Sequence, residues 1–288
     1  TEVVEIEPEV LKASHLFEDV NQGVLKDAGV TIILDDARHH LQTTKVRYDI
    51  ISTDVTNLQY KQNGNLYTRE YFEILKSKLS PDGIACAWIP IRSIEEEDFK
   101  ILLRTWQAVF SHASLWYMDQ VFTHFAILIG TPASMQFQPE RLREAFAIPE
   151  VRKNLQAIGI YHPYQVVQYI HLIDAGYREY IGSGPIHTDN HPILEFSAPY
   201  AFYGHHIPFY PILKRIRRHR APSYASFLHM ASSEEKQDFS RIEQFSRLWG
   251  RYVLFASKWP VDRQRHLLEE ALALFPEYQP AKRALKGY

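Results

Sequence analysis

Acidic side chains follow three successive apolar runs in the first 54 residues of this 288-residue chain. Glu5 and Glu7 follow the first run, Asp35 and Asp36 the second, and Asp54 the third. Single acids at strand ends commonly cap helices or form turns. Three acidic strand ends side by side would raise one another's pKa values if nothing compensated them, which favours a shared pocket over coincidence. We therefore expect a ligand that carries several hydroxyl groups and a positive charge.

The placement of these acids depends on a regular alternation of short apolar runs and helical patterns. After the N-terminal strand, the sequence predicts strands at 30–34, 48–52 and 84–89, and helices at 9–17, 37–42, 68–78 and 95–110. This spacing is typical of right-handed βαβ units. It predicts an α/β fold with an open, doubly wound, Rossmann-like sheet of the class I methyltransferase type, whose ligands bind at the carboxyl ends of the strands. Two further runs, 113–118 and 125–130, are expected to close the sheet as a terminal hairpin.

The N-terminal run has the pattern of the second strand of a nucleotide-binding sheet. An acidic side chain at the end of such a strand can accept hydrogen bonds from both hydroxyls of a ribose. In such sheets, a first strand and a Gly-rich turn bring backbone N–H groups close to the cofactor. The sequence begins at Thr1 without these elements, and we expect them upstream in a longer parent protein.

Composition excludes several classes of protein. The formal net charge of −2 argues against a general affinity for nucleic acid. Cys86 is the only cysteine, which excludes an internal disulfide framework and fits a reducing, cytoplasmic location. No apolar run approaches the roughly 20 residues of a membrane span. A Gly-x-Ser-x-Gly elbow is absent, which argues against hydrolase chemistry.

Four blocks of sequence together resemble the spermidine synthase (polyamine aminopropyltransferase) family. They are VEIEPEV at 4–10, LDDAR at 34–38, YDIISTD at 48–54 and NLYTREYF at 65–72. A later segment, IHTDNHPILEF at 186–196, resembles the bacterial branch in which this domain follows membrane-spanning helices. The resemblance covers residues 2–198 and implies that the parent protein is attached to a membrane. It also implies an amine substrate and a homodimer.

The resemblance assigns a role to each matching residue. Glu5 would contact the ribose of decarboxylated S-adenosylmethionine or of the thioether product. Asp36, with the backbone of Ala37, would hold the adenine amino group. Asp54 would help to deprotonate and orient the attacking amine, because polyamines arrive as ammonium ions. Asn57 stands where the family usually has a second acid; it keeps hydrogen bonding but removes a charge that would attract a diamine.

Two other functions compete with aminopropyl transfer. A non-catalytic or regulatory relative that binds a protein partner is favoured by the missing Gly-rich turn and by Asn57. A methyltransferase that uses S-adenosylmethionine could share the same sheet, although it would not explain the four-block resemblance.

Two polar segments also have alternative interpretations. The alternation of His187, Asp189 and His191 could supply metal ligands, but a turn that leads into a strand at 193–196 is the preferred interpretation, and no metal is expected. The basic run at 214–220 could contact anionic lipid, although a solvated linker or helix end is favoured.

The sequence predicts three regions: a nucleoside-binding domain at 1–132, a helical and loop segment that completes it at 133–198, and a helical extension at 199–288. Within the extension, 241–259 and 261–275 have helical spacing. The segment from 267 onward resembles part of a tetratricopeptide-type repeat. Because one copy cannot build a continuous core, a small helical cap or docking surface is expected.

Overall fold

A computed structural model describes residues 1–54, 58, 60, 63–92, 94–118, 123–204 and 209–287. The strands of this part of the chain are β1 (Glu2–Glu5), β2 (Thr31–Leu34), β3 (Tyr48–Thr53), β4 (Leu79–Pro90), β5 (His112–Trp116), β6 (Phe125–Thr131) and β7 (Ile170–Ile173). Its helices before residue 190 are α1 (Pro8–Ala13), α2 (Glu18–Asn21), α3 (Ala37–Thr43), α4 (Arg69–Ser77), α5 (Glu96–Val109), α6 (Pro139–Ala147), α7 (Pro149–Ala157) and α8 (Asp174–Ile181). Those that follow are α9 (Ile193–Gly204), α10 (Phe209–Arg218), α11 (Ser233–Phe255), α12 (Val261–Leu274) and α13 (Gln279–Leu285).

The strands form two separate sheets. Strands β1 and β2 pair in parallel as a two-stranded sheet. The second sheet has the order β3-β4-β6-β5-β7, in which β3 and β4 are parallel and the remaining neighbours are antiparallel. At the first residues of β1 and β3, the Tyr48 hydroxyl donates to the Glu2 carboxylate at 2.5 Å. The two sheets therefore meet edge to edge, and β1 and β3 start at the same end.

The main core lies on one face of the five-stranded sheet, under α4 and α5. Alternate β4 residues Ala85, Ala87 and Ile89 are buried, as the two-residue period of a strand requires. Phe72 and Trp106 of the covering helices pack edge to face, with ring centroids 4.8 Å apart. On the opposite face of β4, Ile84 and Trp88 each keep 36% of their surface exposed. The sheet is thus well covered on one face and partly open on the other.

A second core lies in the C-terminal half. It joins the 3₁₀ helix Pro163–Tyr169 and β7 to α11, α12 and α13 through a cluster of buried aromatic side chains. Within this cluster, the ring centroids of Phe245 and Tyr278 are 4.7 Å apart. The buried carboxylate of Glu243 accepts from the Ser223 hydroxyl and the Tyr224 N–H, both at 2.8 Å. These hydrogen bonds compensate the cost of burying a charge.

The structure confirms the predicted α/β class and the helical C-terminal extension. It also has helices at the four predicted positions between residues 8 and 110. The prediction of a terminal hairpin is wrong in one respect, because β7 pairs with β5 and extends the sheet. The prediction of a strand at 193–196 is also wrong, because these residues open α9. Pro192 directly before this helix and Glu195 in its first turn both favour a helix start.

Candidate functional site

A cavity of about 440 Å³ lies between the facing edges of β1 and β3. Four of the residues predicted to form a site line it: Glu5, Asp36, Ala37 and Asp54. The structure thus brings the three acidic strand ends together at one opening. Asn57, the fifth predicted residue, lies outside the described residues.

Glu5 is half-buried at the end of β1. Its Oε1 accepts the backbone N–H of Glu7 at 2.8 Å, and the Glu7 side chain in turn accepts the N–H of Glu9 at 3.2 Å to cap α1. These local hydrogen bonds fix the direction of the Glu5 carboxylate. They also show that part of its acceptor capacity is used by the turn into α1.

Asp36 is the N-cap of α3 and accepts the N–H of His39 at 2.9 Å. The preceding acid, Asp35, turns instead to the His39 ring, with Nδ1 2.9 Å from Oδ2. This hydrogen bond is the main cause of a lowered pKa at Asp35. Ala37 begins α3, where the first backbone N–H groups have no partner within the helix. Of Asp35 and Asp36, only Asp36 lines the cavity. Beside it, Ala37 and the first turn of α3 also face the cavity.

Asp54 is exposed at the end of β3, beside two tyrosines whose hydroxyls are engaged. Tyr67 donates to the carbonyl of Trp88 at 2.9 Å, and the Tyr71 hydroxyl lies 3.1 Å from Thr53 Oγ1. Burial raises the pKa of both phenols, and the charge of Asp54 raises that of Tyr67 further. Both tyrosines stay uncharged near neutral pH, so they add no negative charge beside Asp54.

Carboxylates dominate the lining of the cavity, with His40 at its base. Its described lining includes the carboxylates of Glu2, Glu5, Asp36 and Asp54 and no lysine or arginine. Clefts lined by one sign of charge concentrate ligands of the opposite sign. The arrangement is therefore suited to a cationic ligand that also offers hydrogen-bond donors.

Sequence reasoning missed the residues at the base of the cavity. Here the Tyr48 hydroxyl bonds to Glu2 and lies 3.1 Å from Nε2 of His40, which is itself 3.5 Å from the Glu2 carboxylate. Burial, followed by the hydrogen bond to Glu2, raises the pKa of Tyr48. No local pattern signals this cluster, because Glu2 and Tyr48 are 46 residues apart.

The alternating His187, Asp189 and His191 do not share a ligand-binding face. His187 is fully buried and bonds to protein groups, whereas Asp189 pairs with Arg38 at 2.5 Å. Backbone hydrogen bonds between Thr188 and His191 form a turn. Across the described part of the chain, no group of three metal-ligating side chains comes together.

The basic run at 214–220 makes several contacts within the protein. Arg215 pairs with Glu96 at 2.5 Å, and the Arg217 guanidinium lies over the Phe255 ring. Arg220 donates to the Tyr224 hydroxyl at 2.9 Å. None of the helices in the described residues is both long enough and apolar enough to cross a bilayer.

Residues 1–123 match the family profile described as the spermine/spermidine synthase domain. The polyamine aminopropyltransferase of Synechococcus sp. is 30% identical over 149 residues, which are 49% of this chain and 47% of the relative. Polyamine aminopropyltransferase 2 of Pseudomonas aeruginosa is 32% identical over 101 residues, 34% of this chain and 28% of the relative. The chain thus spans half or less of the length of these curated relatives.

A crystal structure of a probable spermidine synthase from Corynebacterium glutamicum aligns with a TM-score of 0.46 at 24% identity, over 65% of this chain and 63% of that chain. Residues 1–123 thus have an α/β fold and a sequence similar to the spermine/spermidine synthase domain. This similarity confirms the resemblance predicted from the four sequence blocks. Membership of the membrane-fused branch stays a prediction.

Proposed function

We propose that this chain provides the nucleoside- and amine-binding part of an aminopropyltransferase, which moves an aminopropyl group from decarboxylated S-adenosylmethionine to an amine. The observation that carries the proposal is the cavity lined by four carboxylates, without lysine or arginine among its described lining residues. Both substrates are cationic, one as a sulfonium and an ammonium and the other as a polyamine. Negative charge attracts both of them.

The nucleoside would bind along the β1 and α3 side of the cavity. Glu5, at the end of its strand, can accept hydrogen bonds from the two ribose hydroxyls. Asp36 can accept from the adenine amino group while the Ala37 N–H donates to the ring. Local hydrogen bonds from backbone N–H groups fix the carboxylates of Glu5 and Asp36 before a ligand arrives. This lowers the entropic cost of binding.

Asp54 would act on the amine. The substrate ammonium loses a proton, with the Asp54 carboxylate as acceptor, and its nitrogen lone pair attacks the methylene carbon next to sulfur. A C–N bond forms as the C–S bond breaks, and the bonding electrons pass to sulfur to give a neutral thioether. Tyr67 and Tyr71 do not compete for this role, since burial keeps both protonated.

Calorimetric titration of this chain with 5′-methylthioadenosine and S-adenosylmethionine tests the nucleoside site. Glu5→Gln and Asp36→Asn are expected to weaken binding at least tenfold each, because a hydrogen bond to a charged group is lost. Glu9→Gln is the matched control, because Glu9 is an exposed acid that pairs with Lys12 and does not line the cavity. Preference for methylthioadenosine supports aminopropyl transfer, and preference for S-adenosylmethionine supports methyl transfer. The same titration is made with a form extended upstream through the expected first strand and Gly-rich turn. Failure of both forms to bind either nucleoside would overturn the proposal in favour of a non-catalytic relative.

A further inference from the structure

His187 is fully buried and contacts four different elements. Its backbone N–H donates to the Thr105 hydroxyl of α5 at 2.8 Å, and its carbonyl accepts the N–H of Arg69 in α4 at 3.0 Å. On the ring, Nε2 lies 3.0 Å from the carbonyl of Gly64, and Nδ1 accepts the N–H of Leu194 at 3.2 Å. The ring therefore bridges the start of α9 and the 3₁₀ helix Asn63–Leu66.

That 3₁₀ helix forms one wall of the cavity. Asn63 and Leu66 line the cavity, and the buried Gly64 stands between them with its carbonyl on the His187 ring. A Cβ built at Gly64 would lie 3.5 Å from Nε2 of His187 and 3.6 Å from Cβ of Glu195. The ring thus packs directly against the back of the wall.

We propose that His187 is a positioning residue that fixes the 63–66 wall of the cavity by a directional hydrogen bond to Gly64. The assignment of nucleoside and amine as the occupants rests on the proposed function, whereas the positioning of the wall does not.

The hydrogen bonds determine the tautomer of the ring. Because Nδ1 accepts the Leu194 N–H, it carries no proton, and the ring proton must sit on Nε2, where it is donated to Gly64. A charged imidazolium would lose the Leu194 contact. Burial lowers the pKa of His187, which agrees with a neutral ring at physiological pH.

A second set of contacts ties the α3 wall of the cavity to the same loop. Arg38 donates to both carboxylate oxygens of Asp189, at 3.0 and 2.5 Å, and to the carbonyl of Asn65 at 3.1 Å. Arg38 follows directly after Asp36 and Ala37, which line the cavity. The 187–191 loop therefore holds both the α3 wall and the 63–66 wall, although no residue from this loop lines the cavity itself.

Two substitutions separate the two ring contacts. In His187→Asn, the amide oxygen can replace Nδ1 and keep the Leu194 contact, but the side chain is too short to reach Gly64. In His187→Gln, the amide N–H can replace Nε2 and keep the Gly64 contact, while the Leu194 contact is lost. Both variants remove an imidazole from the same buried site, so a merely structural role predicts similar effects. His191→Asn, an exposed residue of the same loop, is the control.

Amide hydrogen exchange of peptides that cover 63–68 is the main readout. We expect His187→Asn to speed exchange there about tenfold, because an unpaired buried carbonyl destabilises the turn, and His187→Gln and the control to change it little. Equal exchange in the Asn and Gln variants would overturn the proposal. We also expect His187→Asn to weaken methylthioadenosine binding about tenfold and His187→Gln to retain it. This result would show that the position of the 63–66 wall affects ligand binding.

Nitrogen-15 chemical shifts of the wild-type ring supply a test that requires no substitution. The expected result is a neutral ring protonated at Nε2, and the opposite tautomer would overturn the proposal even if both variants failed to fold. These two measurements need no ligand. If neither the wild-type chain nor its upstream-extended form binds a nucleoside while they give the expected results, the proposed function fails and the positioning role of His187 stands.

Discussion

The hydroxyl of Tyr48 donates to the carboxylate of Glu2 at 2.5 Å and joins the first residues of two strands that belong to different sheets. At the other end of the same two strands, Glu5 and Asp54 face one cavity. The geometry of the acidic opening therefore depends on how firmly the two sheets are held together at its base.

Tyr48→Phe removes this hydrogen bond and keeps the ring. We expect a loss of unfolding free energy of about 1 kcal/mol, since a typical hydrogen bond contributes that much. Amide exchange in β1 should also become faster. Tyr60→Phe is the control, because Tyr60 is 59% exposed and does not line the cavity. Chemical denaturation measures the unfolding free energy, and hydrogen exchange measures the opening of β1. If both quantities change equally in Tyr48→Phe and Tyr60→Phe, the Tyr48 hydrogen bond does not hold the two sheets together.

Asp54→Asn separates binding from chemistry. If Asp54 accepts the proton of the amine, the variant should bind methylthioadenosine with nearly unchanged affinity and lose at least about 100-fold in aminopropyl transfer. The transfer rate is measured with decarboxylated S-adenosylmethionine and a linear diamine, in a form of the protein that shows activity. Asp82→Asn is the matched control, an exposed acid in β4 outside the cavity. Full activity in Asp54→Asn would remove Asp54 from the mechanism.

Ionic strength should affect amine binding strongly. Four carboxylates of the described lining attract a cation, and salt screens charges that lie at an open surface. We expect the affinity for a linear diamine to fall several-fold between about 0.05 and 0.5 M salt, and the affinity for neutral methylthioadenosine to change much less. Equal salt dependence for both ligands would argue that the amine binds elsewhere.

Acid pH should destabilise the fold through the buried His187 and the half-buried His162. Burial lowers the pKa of His187 and of His162 below the ordinary value. The charges of Asp189, Glu195 and Glu70 oppose this shift at His187, but burial is the larger effect. The unfolded chain therefore binds more protons than the folded one once the pH falls below about 6.5. Stability is fully present above that pH and is lost as the pH falls toward the folded-state pKa.

Denaturation midpoints measured between pH 7.5 and pH 5 check the sign of this effect. His187→Gln and His162→Gln should each flatten the pH dependence, whereas the exposed His191→Gln should not. A steeper profile in His187→Gln would mean that the ring is charged in the folded protein.

The sequence predicted the acidic opening because strand and helix periods are local signals. The apolar run before Asp36 and the helical spacing after it place that acid at a strand end, whatever the rest of the chain does. The assignment of roles to Glu5, Asp36, Ala37, Asp54 and Asn57 stays a prediction that the proposed experiments address. The division at 132 and 198, the repeat-like character of the C-terminal helices, membrane attachment and dimerisation likewise stay predictions.

Other features had no local signal. Strand β7 has only four residues, all of them buried, so it shows no alternation by which a strand could be recognised. The apolar run at 193–196 has the composition of a strand, yet its first residue follows Pro192 and the N–H of Leu194 is held by His187. Long-range contacts such as this decide between helix and strand where the local pattern is ambiguous.

None of the first 40 residues is buried, and Leu41 is the first that is. Glu5 thus sits on a part of the described chain with little packing to resist local opening, while Asp54 directly follows β3 of the larger, well-packed sheet. A molecule held by both carboxylates can leave as soon as the N-terminal part opens, without unfolding the remainder. Its residence time would then follow the opening rate of residues 1–36, and substitutions far from the cavity that slow this opening would prolong it.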